Sequence, residues 1–319
     1  MINKETRERI IALVHQEVVP AIGCTEPMAV ALCTAKATEQ LGCRPEKIEA
    51  LLSANILKNA MGVGIPGTGM IDLPIAIALG ALIGKSDYQL EVLKDLTPEA
   101  LEAGNYGHNL GKTIDRPLSK GIFGNSIFCH IISRTASACD ARMGGAMIAV
   151  MSNSGSGNQG ICATNPVCVY AKENENTEEE LIRALMLSHL TAIYIKQSLG
   201  KLSALCGCVV ASIGSSCGIT YLMGGDYERI CYAVKNMIAN LTGMICDGAK
   251  PSCSLKITSG VSTALLSALL AMEGKCVTSN EGIVDDSVDK SIHNLTSIGA
   301  DAMCKTDDMV LNIMTSKGC

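Results

Sequence analysis

Apolar residues recur at helical spacing from the start of the chain. Ile10, Ile11, Val14 and Val18 form one stripe over residues 4–18, and Pro20 ends it. A small-residue helix opens behind Cys24-Thr25-Glu26-Pro27, with Pro27 in its first turn, and Gly42 closes it. Thr97-Pro98-Glu99 has the cap-then-proline order of another helix start. Thr177 and Glu180 stand at capping-box spacing for a helix that runs to about Lys196 and is closed by Gly200. Further helices are predicted over 227–241 and over the apolar segment 259–272. Only residues 48–53 and a stretch near 146–151 have a strand-like pattern. Residues 104–135, which contain Phe123 and Phe128, show no clear period. The pattern predicts a single domain over 1–319 that is mainly α, a helical fold with a few short strands, with α+β as the alternative.

Composition sharpens this picture. The 319 residues include 31 Gly, 16 Cys, no Trp and only two Phe, so the core must be built from closely packed small side chains. Leu202–Gly225 carries no charge and is long enough to resemble a membrane span. Its five glycines and its hydroxyl side chains favour a buried element around a cofactor instead, so no membrane is expected. The net charge is −5 and the Lys and Arg residues are scattered, which argues against a nucleic-acid surface. Cysteines inside apolar runs such as Ala31-Leu32-Cys33 read as reduced thiols, and the charged start of the chain has no secretory pattern. A cytoplasmic protein is the expectation.

Candidate chemistry concentrates in a few loops. Cys246 and Cys253 lie seven apart among turn residues (Asp247-Gly248, Pro251-Ser252), and Cys206-Gly207-Cys208 offers a third thiol upstream. Three such thiols without a His pair favour an iron–sulfur cluster over a closed zinc site. Small buried cysteines near a turn are the competing reading. Cys24 sits just ahead of a helix N-terminus, where the dipole can stabilise a thiolate; a cysteine packed under a turn fits equally well. Gly62–Gly69 and Ser154–Gly160 are loops whose backbone N–H groups could hold an anion, the second with Ser, Asn and Gln side chains as well. His15, His108, His130, His189 and His293 fall in no metal-ligand spacing.

Five ordered motifs carry a resemblance: Cys24-Thr25-Glu26-Pro27, the run from Ser53 to Ala60, Gly155–Gly160, Leu202–Cys208 and Cys246–Cys253. With these the chain resembles the L-cysteine desulfidases, which are related to the iron–sulfur L-serine dehydratases. The resemblance implies a [4Fe–4S] cluster held by Cys206, Cys246 and Cys253, with Cys208 as the substitute for Cys206. It implies Cys24 as the base that removes the α-proton of a small amino-acid substrate. Asn55, Lys58, Arg142, Ser156, Asn158 and Lys250 are candidate substrate-binding residues. The implied reaction is PLP-independent β-elimination of L-cysteine to pyruvate, ammonia and sulfide. An L-serine dehydratase-like lyase and an inactive iron–sulfur or zinc-binding paralogue are the alternatives. Members of that family are about a hundred residues longer, and the shortfall is expected near 105–138. A homodimer is compatible with this reading but not selected by it, and the role of the terminal Cys319 stays open.

Overall fold

A computed structural model describes residues 2–91, 108–116, 121–200 and 202–317. The helix start at Thr97-Pro98-Glu99 and Cys319 lie outside the described residues. The elements in order are α1 (Lys4–Glu17), β1 (Pro20–Ile22), α2 (Thr25–Leu41), α3 (Ala54–Ala60), α4 (Leu73–Ile83), α5 (Leu110–Asp115) and α6 (Ile127–Met143). There follow β2 (Ala149–Met151), α7 (Gly157–Glu173), α8 (Glu178–Leu199), α9 (Gly207–Leu222), α10 (Tyr227–Leu241), α11 (Cys253–Met272), α12 (Val288–Ser297) and α13 (Cys304–Ser316). The fold is 67% helical and its two strands are three residues each, so it is mainly α.

Local chemistry sets the helix starts. Asn3, Ser53, Ser126, Ser156, Thr177, Asp226 and Ser287 each accept a backbone N–H of the following turn. The Thr177–Glu180 box is reciprocal, with the Thr177 N–H donating to Glu180 Oε2 at 2.8 Å. Gly42 ends α2 in the left-handed conformation at φ 72°. Residues 48–53 form no strand. Leu51 is 93% exposed and the segment pairs with nothing; Ser53 caps α3 instead. Of the stretch near 146–151 only Ala149–Met151 is strand, and it pairs antiparallel with Pro20–Ile22, whose three residues are too few to show a period.

Helix α9 is the centre of the molecule, with α7, α8, α10 and α11 packed around it. All its residues are buried except Gly207 and Tyr221. A Cβ on Gly214 would stand 2.3 Å from the Ser188 carbonyl oxygen, so glycine is what allows α8 and α9 to touch along their backbones. Buried hydroxyls are satisfied at close range: Ser216 donates to the Ala264 carbonyl at 2.9 Å and Thr220 to the Ser216 carbonyl at 2.7 Å. The uncharged run at 202–225 is therefore a core helix of 16 residues. Helix α11 is long and apolar enough to cross a membrane, but half of that window is packed inside the protein.

One histidine is built into this core. His189 on α8 accepts from Asn153 Nδ2 at Nδ1 (3.0 Å) and meets Thr164 Oγ1 through Nε2 (3.0 Å), which fixes a neutral ring. Burial lowers its pKa from 6.5 to about 4. The unfolded chain therefore takes up a proton here first, and stability drains as pH falls from 6.5 towards 4, by about 3 kcal/mol in all. A histidine NMR titration should show this ring still neutral at pH 5, and a normal midpoint would refute the assignment.

Candidate active site

Four helices begin at one cavity. Cys24 is the N-cap of α2, Ser156 of α7 and Cys206 of α9, and Cys253 is the first residue of α11. All four line a cavity of about 90 Å³. Each helix start directs free N–H groups and about half a positive charge towards its end, so the cavity suits an anion before any side chain is counted.

The thiols arrive there by backbone pairing. Leu205 and Ile245 form an isolated antiparallel bridge; the Cys206 N–H donates to the Met244 carbonyl at 3.0 Å, and Cys246 N–H to the Ala204 carbonyl at 2.6 Å. Cys206 and Cys246, forty residues apart in the chain, thus become neighbours. Between Cys246 and Cys253 the loop turns at Gly248, at φ 89°, where a Cβ would meet the Lys58 carbonyl oxygen at 2.3 Å. Cys206, Cys208, Cys246 and Cys253 all line the cavity. The Cys206 and Cys208 sulfurs are 3.3 Å apart; Cys246 points to Asn59 Oδ1 at 3.9 Å and Cys253 to the Gly248 carbonyl at 3.6 Å.

Each of these thiols is held in its protonated form. Contact with Cys208 and then burial raise the Cys206 pKa, contact with Cys206 and then burial raise that of Cys246, and burial raises that of Cys253. Thiols of this kind lose their protons when a metal takes the proton's place. Among the described residues no three Cys, His, Asp or Glu side chains stand close enough to hold a single metal ion. The four thiols share the wall of one cavity.

Across from the thiol loops are groups of opposite character. Cys24 is 2% exposed, and its Sγ–H donates to Glu26 Oε2 at 3.0 Å. Its position before the α2 N-terminus is as the sequence indicates, but the expected pKa shift is reversed. Burial first, then the Glu26 carboxylate, raises the thiol pKa well above 9.0, outweighing the helix dipole and Arg142. Arg142 is 3% exposed; its Nη1 donates to Asn158 Oδ1 at 3.0 Å, while Nε and Nη2 have no hydrogen-bond partner among the described residues. Gln159 Oε1 is also buried without a hydrogen-bond partner among the described residues. Lys196, 5% exposed, makes no hydrogen bond or ion pair among the described residues, and burial lowers its pKa to about 8. Arg142, Gln159 and Lys196 all line the cavity.

Of the candidate substrate-binding residues, Arg142, Ser156 and Asn158 reach this cavity and Asn55, Lys58 and Lys250 do not. Lys58 is buried in an ion pair with Asp307. Lys250 lies against Asp247 and donates to the Asp247 and Gly248 carbonyls at 2.8 and 3.2 Å. Lys256 also pairs with Asp247, and the two ammonium groups overcome burial to hold that carboxyl at about 2. The run Gly62–Gly69 turns against Gly144 and Gly145, away from the cavity. Sequence reasoning missed Glu26, Gln159 and Lys196 as site residues. Glu26 and Gln159 sit inside motifs already singled out; Lys196 looked like an ordinary basic residue in a last helical turn.

Fold and cavity together describe a helical protein with a cysteine-lined, anion-seeking site. The profile described as Serine dehydratase alpha chain matches residues 84–312. A UPF0597 protein of Bacteroides fragilis is 54% identical over 423 aligned positions, covering 98% of this chain and 99% of that protein. One from Phocaeicola vulgatus is 55% identical over 430 positions, covering all of both. One from Photobacterium profundum is 39% identical over 419 positions, covering 96% and 98%. No solved structure matches. The chain belongs to the serine dehydratase alpha chain family, a lyase-type family.

Proposed function

We propose that this chain is a [4Fe–4S]-dependent, PLP-independent lyase that eliminates the β-substituent of L-cysteine, giving pyruvate, ammonia and sulfide. The observation that carries the reading is the meeting of Cys24, Cys206, Cys246 and Cys253 on one cavity ringed by four helix N-termini. Cys206, Cys246 and Cys253 would hold the cluster, with Cys208 beside Cys206 as reserve. When bound there, a cluster with three protein thiolates would supply a Lewis-acidic iron that activates the substrate's β-substituent for departure.

The chain's own residues account for the rest. Lys196 and the Nε and Nη2 of Arg142 are buried donors without a hydrogen-bond partner among the described residues, the complement of a substrate α-carboxylate. Gln159 Oε1 is an unmet acceptor suited to the substrate's ammonium group. Asn158 fixes the Arg142 guanidinium, and Ser156 caps the helix that carries both amides. Cys24 takes the α-proton. L-Serine is the second reading, favoured by the family's own description. The alignment with the Bacteroides fragilis relative runs over 423 positions against 319 residues in this chain, and a shortened middle region near 105–138 is part of the proposal. A cytoplasmic location and a homodimer remain part of the proposal.

Protein purified without oxygen should contain iron and acid-labile sulfide in equal amounts and release pyruvate from L-cysteine or L-serine; the faster substrate decides between them. A loaded protein inactive on both would leave only a cluster-binding role. The carboxylate site has its own signature. The Lys196 ammonium is present below about pH 8 and lost above it, so kcat/KM should fall on the alkaline side with that midpoint. Lys196→Met should raise KM about 10- to 100-fold, the value of a buried charged hydrogen bond. Lys196→Arg should abolish the alkaline fall, and an unchanged fall in that variant would refute the role.

A further inference from the structure

We propose that Cys24 and Glu26 act as one proton-accepting pair, in which Glu26 receives the Cys24 thiol proton as the sulfur takes the substrate's α-proton. The inference rests on the lyase reading above and adds a residue to it. Cys24 alone is a poor base here: it is 2% exposed, and among the described residues no arginine or lysine hydrogen-bonds to its sulfur. Its side-chain hydrogen-bond partner is the Glu26 carboxylate, at 3.0 Å, close enough to take the proton. Thr25 Oγ1 donates to the same oxygen at 3.1 Å, which holds the carboxylate against the thiol. Glu26 lines the cavity beside Cys24, so the pair faces the space a substrate would enter.

Two charged groups from other elements bear on the pair: Arg142 from α6 acts on Cys24, and Lys196 from α8 on Glu26. The remaining titratable groups of the cavity are Lys256 and the thiols Cys206, Cys208, Cys246 and Cys253. Arg142 and Lys196 offset the single negative charge of the thiol–carboxylate pair, and neither takes its proton.

The bookkeeping of the step is closed. The substrate Cα–H bond breaks and its electron pair becomes the new Cα=Cβ bond, while the β-substituent leaves with the pair of its own bond. The proton from Cα ends on the Cys24 sulfur, and the proton formerly there ends on Glu26 Oε2. Glu26 returns to carboxylate by protonating the departing hydrosulfide or hydroxide. The pair keeps one negative charge until the α-proton arrives, so no bare buried thiolate beside a carboxylate is ever formed.

The test uses two readouts that a structural role would not move in opposite directions. With Glu26 as acceptor, the acidic limb of kcat/KM in the loaded enzyme is set by a carboxylate and not by a thiol. In Glu26→Gln the thiol must ionise by itself, so the limb should move to higher pH and turnover at pH 7 should fall about 100-fold. Glu26→Asp keeps a carboxylate and should keep the low limb. The second readout is iodoacetamide alkylation of the Cys24 peptide in reduced, metal-free protein, followed by mass spectrometry against pH. Removing the neighbouring negative charge should lower that midpoint in Glu26→Gln. An acidic limb unchanged in Glu26→Gln overturns the proposal, as does an unchanged alkylation midpoint. If loaded wild-type protein turns over neither amino acid, the lyase reading falls, and the alkylation shift still decides whether the two groups form a pair.

Discussion

On the proposed reading, Cys206→Ser should strip the cluster and the lyase activity from this protein while making its metal-free fold slightly firmer. Cys206 occupies the N-cap of α9 but gives that helix no side-chain hydrogen bond. Serine is among the best N-cap residues, so the exchange should add up to about 1 kcal/mol to helix stability. The same exchange replaces a thiol that can become a thiolate with a hydroxyl that cannot ionise near neutral pH, and iron loses a soft ligand. Iron content would then fall while the thermal stability of the metal-free protein rises, which general misfolding cannot produce. Cys246→Ser and Cys253→Ser should lose iron as well, with little change in stability, because the contacts they replace are a 3.9 Å approach to Asn59 and a 3.6 Å approach to a carbonyl. Cys208→Ser separates the neighbours: it should retain iron if Cys206 is the ligand. Iron and acid-labile sulfide counts on anaerobically reconstituted protein provide the measurement. Full cluster content in Cys206→Ser with loss in Cys208→Ser would exchange their roles; full content in all four variants would remove the cluster from this cavity.

What could be read from the sequence depended on how local each cause was. Caps are written within four residues, so the Thr177–Glu180 box and the Gly42 stop stand where they were expected. The helix predicted over 259–272 instead begins at Cys253, because Pro251 and Ser252 make a turn that feeds straight into it. The strand expected over 48–53 was a misreading of a short apolar alternation, whose Leu51 points to solvent. Which thiols share a wall follows from pairing between residues 204–206 and 244–246, a non-local event that no spacing rule encodes. Charge roles were harder still. Lys58, Lys250 and Lys196 are alike in sequence, yet of the three only Lys196 makes no ion pair among the described residues, because Asp307 and Asp247 claim the other two. The Cys24 pKa failed for a related reason: a helix dipole is visible in sequence, but the depth of burial that opposes it is not.

Asp307→Asn should cost about 3–5 kcal/mol of stability, the effect of leaving one buried partner of an ion pair uncompensated. Lys58 is 2% exposed on α3 and its ammonium is met by Asp307 on α13, 249 residues along the chain. Asparagine keeps the shape of the carboxylate and removes its charge, so the lysine is stranded. The apolar double variant Lys58→Met with Asp307→Leu should recover most of the loss, since a well-packed apolar pair can replace a buried salt bridge at little net cost. Urea unfolding of the three proteins measures this directly. A loss below about 1 kcal/mol in Asp307→Asn would mean that the pair is solvated and worth no more than a surface contact. The effect should also reach the cavity. The Lys58 carbonyl abuts Gly248, and the next residue, Asn59, approaches Cys246, so α3 is the wall against which the Cys246–Cys253 loop rests. Loosening α3 should therefore weaken cluster retention in Asp307→Asn even though no ligand is altered. The double variant should hold iron as wild type does, because it restores the wall without restoring the charge.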